Sequence, residues 1–543
     1  MKTFYLCLTI FIFNTLPGNI QAQSVEWANK GGGVLHDPKI AVDANGNTYV
    51  SCNFLDTTYL GVDSFISAGD SDFYLCKYDS VGLLKWAVQV GSVLGDFTTD
   101  ICSDSAGNVY ITGEYYGPVD FGGIILIGFG TFIAKYSSSG TLVWVYRIDP
   151  LHGISIGNMA ISSSGKLVIG GNIYSAADFG CASIITTAPD LKFIACFDTA
   201  GVCQWVTTFI LHGYLLDISM DGNDNTYITG AFLNSVMFGS TVLNSNGSQD
   251  IYLAKCNANG SWEWALNAGS SAIDQGCGVS ADNFGHVFLT GFYKLTVPFG
   301  CATYTSTGSS DIFISCYDTS GNCIWVRQSG GGGGNQYSFA ITSDMNSNCT
   351  ITGSILDTTH FGNFTLIPNG EKMFVAQYDS TGFCKWAIVA TGISGDRGND
   401  IGSDFSGNIY VSGPLWLAGI HTFGNYSLAA NYYNNIINKK DYFLVKVNSI
   451  GSGISDSQSD LYSFNLFPNP TTDKLQLSIY LNKQTNLQFK IYNVLGETVF
   501  EQYLISNFGH NNYSFNLSDL RKGIYFLNLV VNGESSVAKF VKE

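Results

Sequence analysis

Asp104-Ser-Ala-Gly107-Asn108-Val109-Tyr-Ile-Thr-Gly113 is one copy of a stretch that returns along the chain, and its return decides the fold. Its last residue belongs to a column of Gly113, Gly171, Gly230, Gly291, Gly353 and Gly413, with Cys52 in the first place; the intervals are 61, 58, 59, 61, 62 and 60. Nine residues after the first six come Gly61, Gly122, Gly180, Gly239, Gly300 and Gly362, and eleven after the seventh comes Gly424; all but Gly61 follow a Phe. Self-similarity at a fixed period marks a repeat architecture.

Each repeat carries two hairpin patterns. The first runs Asp100 to Asp104, turns through Gly107-Asn108 and returns as Val109 to Gly113; Asp43 to Asn47 and Asp404 to Asn408 turn the same way. Asp closes such a turn with its side chain and Gly supplies positive φ. The second runs Phe73 to Tyr78, turns at Asp79 to Gly82 and returns through Trp86. Alternating aromatic and β-branched residues between Gly, Asp, Asn and Ser turns read as short strands, and no helical period runs through them. Seven units of four strands predict an all-β fold, a seven-bladed β-propeller. The alternative is a solenoid, but the Trp column argues for a ring. Trp86, Trp144, Trp205, Trp264, Trp325 and Trp386 have no successor in the seventh repeat, whereas Trp27 stands 59 residues before Trp86. The propeller is therefore expected to be closed by an N-terminal strand that completes the last blade and removes the open edges.

The two ends differ from the repeats. Lys2, an apolar run from Phe4 to Phe13 and Ala22 predict a secretory signal peptide over residues 1–22, with no other stretch long enough to span a membrane. The repeats then occupy 23–450, a small, polar linker 451–462, and a second domain 463–543, expected to be a small C-terminal β-sandwich. Residues 461–543 carry six acids and seven bases, a net of +1, so the other residues hold −18 of the total −17. This tail contains Phe467-Pro468-Asn469-Pro470-Thr471, Ile491-Tyr-Asn-Val-Leu-Gly496 and Leu520-Arg-Lys-Gly523-Ile-Tyr525-Phe526. In that order the three motifs closely resemble the type A C-terminal sorting domain of the type IX secretion system. The resemblance implies a domain recognised by that machinery at the outer membrane of Bacteroidota, with cargo released or attached to the cell surface. Strand spacing alone would also allow an immunoglobulin-like accessory domain. The repeats in turn resemble the SBBP β-propeller repeat of secreted bacterial proteins, through Asp-x-x-Gly-Asn-x-Tyr-x-x-Gly, Phe-Gly and Phe-x-x-Lys-Tyr-Asp-x-x-Gly-x-x-x-Trp. Cys196 and Cys316 depart from it where Lys77 and Lys135 stand elsewhere, as does Ser163 in the third repeat's turn. This second resemblance implies fold and location, not an activity.

Composition narrows the partners. Lys+Arg 25 against Asp+Glu 42 gives a net charge of −17, which lacks the basic footprint of nucleic-acid binding and disfavours anionic membranes. Thirteen cysteines remain beyond Cys7. Cys196 and Cys203, like Cys316 and Cys323, flank a four-residue turn, so each pair is a candidate disulfide in an exported protein, the alternative being buried thiols. Without Cys-x-x-Cys, a zinc or redox site has no support.

The loops leading into each repeat's first strand gather on one face of a propeller. They hold His36, Asp37, Asp96, His152, His212, Asp274, Asn335, Gln336, Asp396 and Arg397. Loops on a rigid scaffold are where binding residues collect, so these are the candidate ligand site; the alternative is that they are solvated turn residues. Asp43-Ala-Asn45-Gly-Asn47 and Asp221-Gly-Asn223-Asp224-Asn225 approach a calcium loop but lack its closing acid, so no metal and no cofactor is expected, calcium being the weakly supported exception. No Gly-x-Ser-x-Gly, His-Glu-x-x-His or Walker loop is present. The expected role is a non-enzymatic secreted or surface binding module for a glycan or protein. The alternatives are a polysaccharide hydrolase or lyase at the channel mouth and a structural spacer. A clustered carboxylate pair in the channel favours the enzyme, an exposed aromatic ring the glycan binder.

Overall fold

The Asp-x-x-Gly-Asn turn explains why the first hairpin forms. In the first repeat Asp43 Oδ1 accepts from the backbone of Asn45 and Asn47, while Oδ2 accepts from Asn47 Nδ2 and Tyr49 Oη. The turns at Asp104, Asp221 and Asp404 repeat the pattern, and the turn at Asp344 repeats it without the tyrosine, Thr350 standing in its place. These carboxylates accept from the backbone and side chains of their own hairpins.

The computed structural model describes residues 23–61, 63–149, 153–431 and 439–448. In the tail it describes 464–467, 471–481, 484–493, 498–506, 509–531 and 534–542. The segments expected to be signal peptide and linker, and His152, lie outside the described residues, which contain strands and no helix. No helix among them is long and apolar enough to cross a membrane. The chain divides into two compact units, Ala22–Ser449 and a tail from Ile450.

In the first unit antiparallel strands assemble in fours. Phe97–Ser103, Val109–Tyr116, Phe129–Tyr136 and Leu142–Asp149 make one set, and the following repeats build theirs in the same order. The strand of Asp400–Ser403, Ile409–Leu415 and Lys440–Val447 takes its fourth member from the other end of the chain: Val25–Val34 pairs along Lys440–Val447, with Ala28 opposite Val445. Each set's first strand touches the first strand of the next, and Asp400–Ser403 touches Lys39–Val42. This is a propeller-like all-β arrangement.

The glycine column is steric. In five repeats the first strand carries a bulge, between Thr98 and Asp100 for example, that tips a carbonyl over the second strand. A Cβ on Gly113 would lie 1.9 Å from Phe97 O, and one on Gly291 1.9 Å from Gln275 O. In the first repeat the corresponding carbonyl, His36 O, stands off, 3.5 Å from Cys52 Sγ. The Trp column joins repeat to repeat. Trp86 Nε1 donates to Ser138 O at 3.1 Å, Trp144 to Thr199 O, Trp205 to Ala258 O, Trp264 to Thr319 O and Trp325 to Ser380 O. Trp27, from the N-terminal strand, donates to Ser80 O of the first repeat at 3.1 Å. The Lys column adds a second bond: Lys77, Lys135, Lys255 and Lys446 each reach a carbonyl of the neighbouring repeat's turn. Cys196 and Cys316 forgo it.

The disulfides differ from the expected pairs. Cys203 is bonded to Cys181 and Cys323 to Cys301, with Cα atoms 5.4 and 5.6 Å apart, while Cys196 and Cys316 are buried free thiols. A register shift after Cys196 sets Cys203 opposite Phe197 and Trp205 opposite Cys196, so Cys196 and Cys203 are not partners; Cys316 faces Trp325 likewise. Each Cys203-type residue meets instead the residue after Phe-Gly. In the sixth repeat that residue is Asn363, and Cys384 waits at the Cys203 place; a Cβ on Gly362 would lie 3.0 Å from Cys384 Cβ, as one on Gly300 would lie 3.6 Å from Cys323 Cβ. Asn363→Cys is therefore expected to form a third disulfide. A loop of this size should add up to about 3 kcal/mol, read as a raised thermal midpoint and two blocked thiols on alkylation. Two alkylated thiols, at 363 and 384, would refute it.

The tail unit has a three-stranded sheet, Phe464–Phe467, Lys474–Leu481 and Gly509–Asn516. A four-stranded one runs Thr498–Ser506, Thr485–Asn493, Gly523–Val531, Glu534–Lys542. Between them Leu475, Leu477, Phe489, Ile491, Phe515, Leu527 and Phe540 form the core.

Candidate functional site

The first strand of each set has only one ladder neighbour, so its other edge must find partners elsewhere. Side chains at one position do part of this. Counting thirteen residues back from the Gly column gives Lys39, Asp100, Asn158, Asp217, Gly278, Ala340 and Asp400. Asp100 Oδ2 accepts from Met159 N at 2.7 Å, Asp217 Oδ2 from Val279 N at 2.8 Å, and Asp400 Oδ2 from Ile40 N at 2.8 Å. Each carboxylate thus stitches its strand to the next repeat's, and Asp400 stitches the last repeat to the first. Burial pushes Asp217 up to about 7 and Asp100 up to about 6, against the pull of Lys39. Burial lowers Lys39 itself, but the charges of Asp100, Asp400 and Asp217 outweigh it and raise its ammonium above the ordinary value. These are clustered carboxylates, but their oxygens are committed to backbone N–H groups.

Above this layer lies a cavity of about 520 Å³, lined by His36, Asp37, Lys39, Asn53, Phe97 and Glu114 among others. His36 is exposed, its ring edge-on to Phe97 at 6.0 Å. Although the residue is exposed, partial burial of its imidazole, and after it the Lys440 charge, lower its pKa, only partly countered by Asp37. Asp37 is clamped by the Asn399 amide and the Lys440 ammonium. Lys440 in turn lies 3.8 Å from the ring centroid of Trp416, whose surface is 43% exposed. Indole, carboxylate, amide and imidazole are thereby held along one rim.

The other expected site residues separate from this rim. Asp96, Asp274 and Asp396 were expected to face a ligand, but all three are fully buried. Asp96 accepts from Tyr116 N and is pushed up to about 6 by burial. Asp274 accepts from Ser270 N, Ser270 Oγ and Lys294 N. Asp396 accepts from Met373 N and binds Lys372 Nζ at 3.2 Å and His421 Nδ1 at 3.0 Å. They tie their loops to backbone N–H groups at or beside strand ends, Tyr116, Lys294 and Met373. Arg397 pairs with Glu371 at 2.8 Å, His212 with Asp190 at 2.8 Å, and Asn335 accepts from Ser310 Oγ at 3.3 Å. Of the tail motif, Tyr525 is buried and donates to Arg521 O, and Gly523 opens a strand, while Pro468, Asn469, Pro470 and Gly496 lie outside the described residues. Sequence reasoning missed Trp416, Lys440 and Asn399. Trp416 stands outside the Trp column, and that departure was its available signal.

Residues 465–543 match the family described as the secretion system C-terminal sorting domain. The tail is such a domain: it addresses the chain to the type IX secretion machinery and hence to a secreted or cell-surface location. Over 492 residues the chain is 22% identical to an uncharacterized WD repeat-containing protein of Acanthamoeba polyphaga mimivirus, covering 75% of this chain and 32% of that one. The chain thus spans about a third of that relative's length. Among solved structures, Drosophila Plexin A in complex with Semaphorin 1b aligns at a TM-score of 0.36 and 9% identity, over 79% of this chain and 87% of that one. A member of the DUF4221 family from Bacteroides vulgatus aligns at 0.30 and 8%, over 78% and 98%. At these scores the superpositions add nothing to the strand pairing described above.

Proposed function

We propose that the exported protein is a carbohydrate-binding module, a closed seven-bladed β-propeller of SBBP type that takes its ligand at the rim around His36, Asp37 and Trp416. The observation that carries this is the half-exposed Trp416 ring fixed over Lys440, which in turn pairs with Asp37 of the cavity wall. An indole face stacks on the C–H face of a pyranose, and fixed carboxylate, amide and imidazole groups orient its hydroxyls. The pairing of Val25–Val34 with Lys440–Val447, and the Asp400 bond to Ile40, support ring closure. A non-catalytic role is favoured because the axial carboxylates already accept from backbone N–H groups. The test is retention of the mature chain on a panel of polysaccharides and extracellular proteins, with product release followed in parallel. Retention on a glycan without product, weakened at least tenfold by Trp416→Ala, is expected. Retention unchanged by Trp416→Ala would sink the site, and product release would overturn the non-catalytic reading.

A further inference from the structure

The sorting tail must be recognised by a protein surface, and its two sheet edges differ in how they receive one. In the four-stranded sheet, Glu534–Lys542 is an outer strand whose edge is partly occupied: Thr471 N donates to Val541 O at 2.8 Å and Thr471 bridges to Lys542. Its sequence also carries Lys539 and Lys542. The opposite outer strand, Thr498–Ser506, pairs only with Thr485–Asn493 among the described residues. It is nine residues long, without Pro, Gly or Lys. Its inward side chains, Phe500 and Leu504, pack on the core. Its outward ones are Val499, Glu501, Tyr503 and Ile505, with Tyr503 67% and Ile505 71% exposed. The outward row is held in place: Tyr503 Oη donates to Glu501 Oε1 at 2.6 Å, Gln488 Nε2 donates to the same carboxylate at 2.7 Å, and Lys490 pairs with it at 3.2 Å.

Soluble proteins guard such edges with lysine, proline or a covering segment, because a bare row of N–H and C=O groups invites a further strand. Among the described residues this edge has no lysine, proline or covering segment, and its single charge, Glu501, is paired with Lys490; on a domain that exists to be captured, such an edge fits a docking strand. We propose that the type IX export machinery captures this chain by adding a β-strand of one of its own components along Thr498–Ser506. Main-chain hydrogen bonds supply the attachment, and Val499, Tyr503 and Ile505 supply side-chain contacts.

The experiment follows export of the full chain in a bacterium with a working type IX system. Tyr503→Lys/Ile505→Lys places on this edge the charges that soluble proteins use to block strand addition. Thr472→Lys/Ser514→Lys, at two exposed positions elsewhere on the tail, matches it in charge. The edge variant is expected to accumulate in the periplasm with surface or medium yield down at least tenfold, and the matched variant to be exported as the parent is. Both purified full chains should melt with the parent, since the four side chains are exposed. Normal export of the edge variant would overturn the proposal. So would equal failure of both variants, or an edge variant that loses export only together with its thermal midpoint. A change in oligomeric state with export intact would assign the edge to a second copy of this chain instead.

Discussion

Trp27→Ala is expected to destabilise the repeat unit by about 3–5 kcal/mol, the range for truncating a buried aromatic. Trp27 is 8% exposed, lies 6.0 Å from the Tyr410 ring and donates to Ser80 O at 3.1 Å. Gly82 sits against the indole so closely that a Cβ there would be 2.8 Å from the ring, at a φ of +82°. Asn29 Nδ2 and Lys446 Nζ bond the same turn, to Gly82 O and Ser80 O. These contacts join a strand near residue 25 and a strand near residue 445 to the first repeat, so their loss opens a whole boundary between repeats. Denaturant unfolding of the mature chain measures it, with Trp86→Ala as reference for an internal boundary. The two should cost the same within about 1 kcal/mol, because each indole makes the same bond and covers the same kind of glycine turn. A cost below about 1 kcal/mol for Trp27→Ala alone would mean that the N-terminal strand contributes little to holding the last repeat to the first. Trp386→Ala is informative beside them: its Nε1 donates to Gln377 Oε1 at 3.1 Å within its own sheet, so no bond to a neighbouring repeat is lost.

The Trp column was readable in the sequence because it has a period, and the structure gives that period its mechanism. The same holds for the Asp turns and the Gly column, whose residues answer to backbone geometry and so recur with it. The disulfide partners were not readable, because a one-residue register shift after Cys196 changes which residue faces Cys203, and register is a property of the bulge rather than of composition. The candidate site divides along the same line. His36 and Asp37 were selected by their loop position, but that position also selected Asp96, Asp274 and Asp396, which are buried and bond backbone N–H groups of the fold itself. Sequence alone does not separate that use from ligand binding. Trp416 and Lys440 become a pair only through folding, since they stand 24 positions apart in the chain.

The axial carboxylates should make stability fall as pH rises. Asp217 is pushed up to about 7 and Asp100 to about 6 by burial, from 3.8; Asp96 and Asp250 also reach about 6. A carboxyl whose pKa is raised by folding binds its proton more tightly in the folded chain. Its contribution is therefore fully present below the unfolded value near pH 4 and is lost as pH climbs through the folded value. For Asp217 the window runs from about pH 4 to about 7. A shift of this size corresponds to about 4 kcal/mol at 1.4 kcal/mol per pH unit, and the side chain's partial access to water brings the expected loss to about 1–2 kcal/mol. The purified chain should thus melt several degrees lower at pH 8 than at pH 5. Asp217→Asn should flatten that slope, because an amide carries no charge; its one oxygen keeps one of the bonds from Ile218 N and Val279 N, and its Nδ2 must turn to a carbonyl. The third repeat already supplies the precedent: Asn158 occupies the same column and bridges to the neighbouring strand by donating to Leu216 O at 2.8 Å. At pH 8 the variant should match or exceed the parent, and at pH 5 it should fall level with or below it. Parallel melting curves across that range for both proteins would show that Asp217 is ionised throughout and that the axial layer is better hydrated than its enclosure implies.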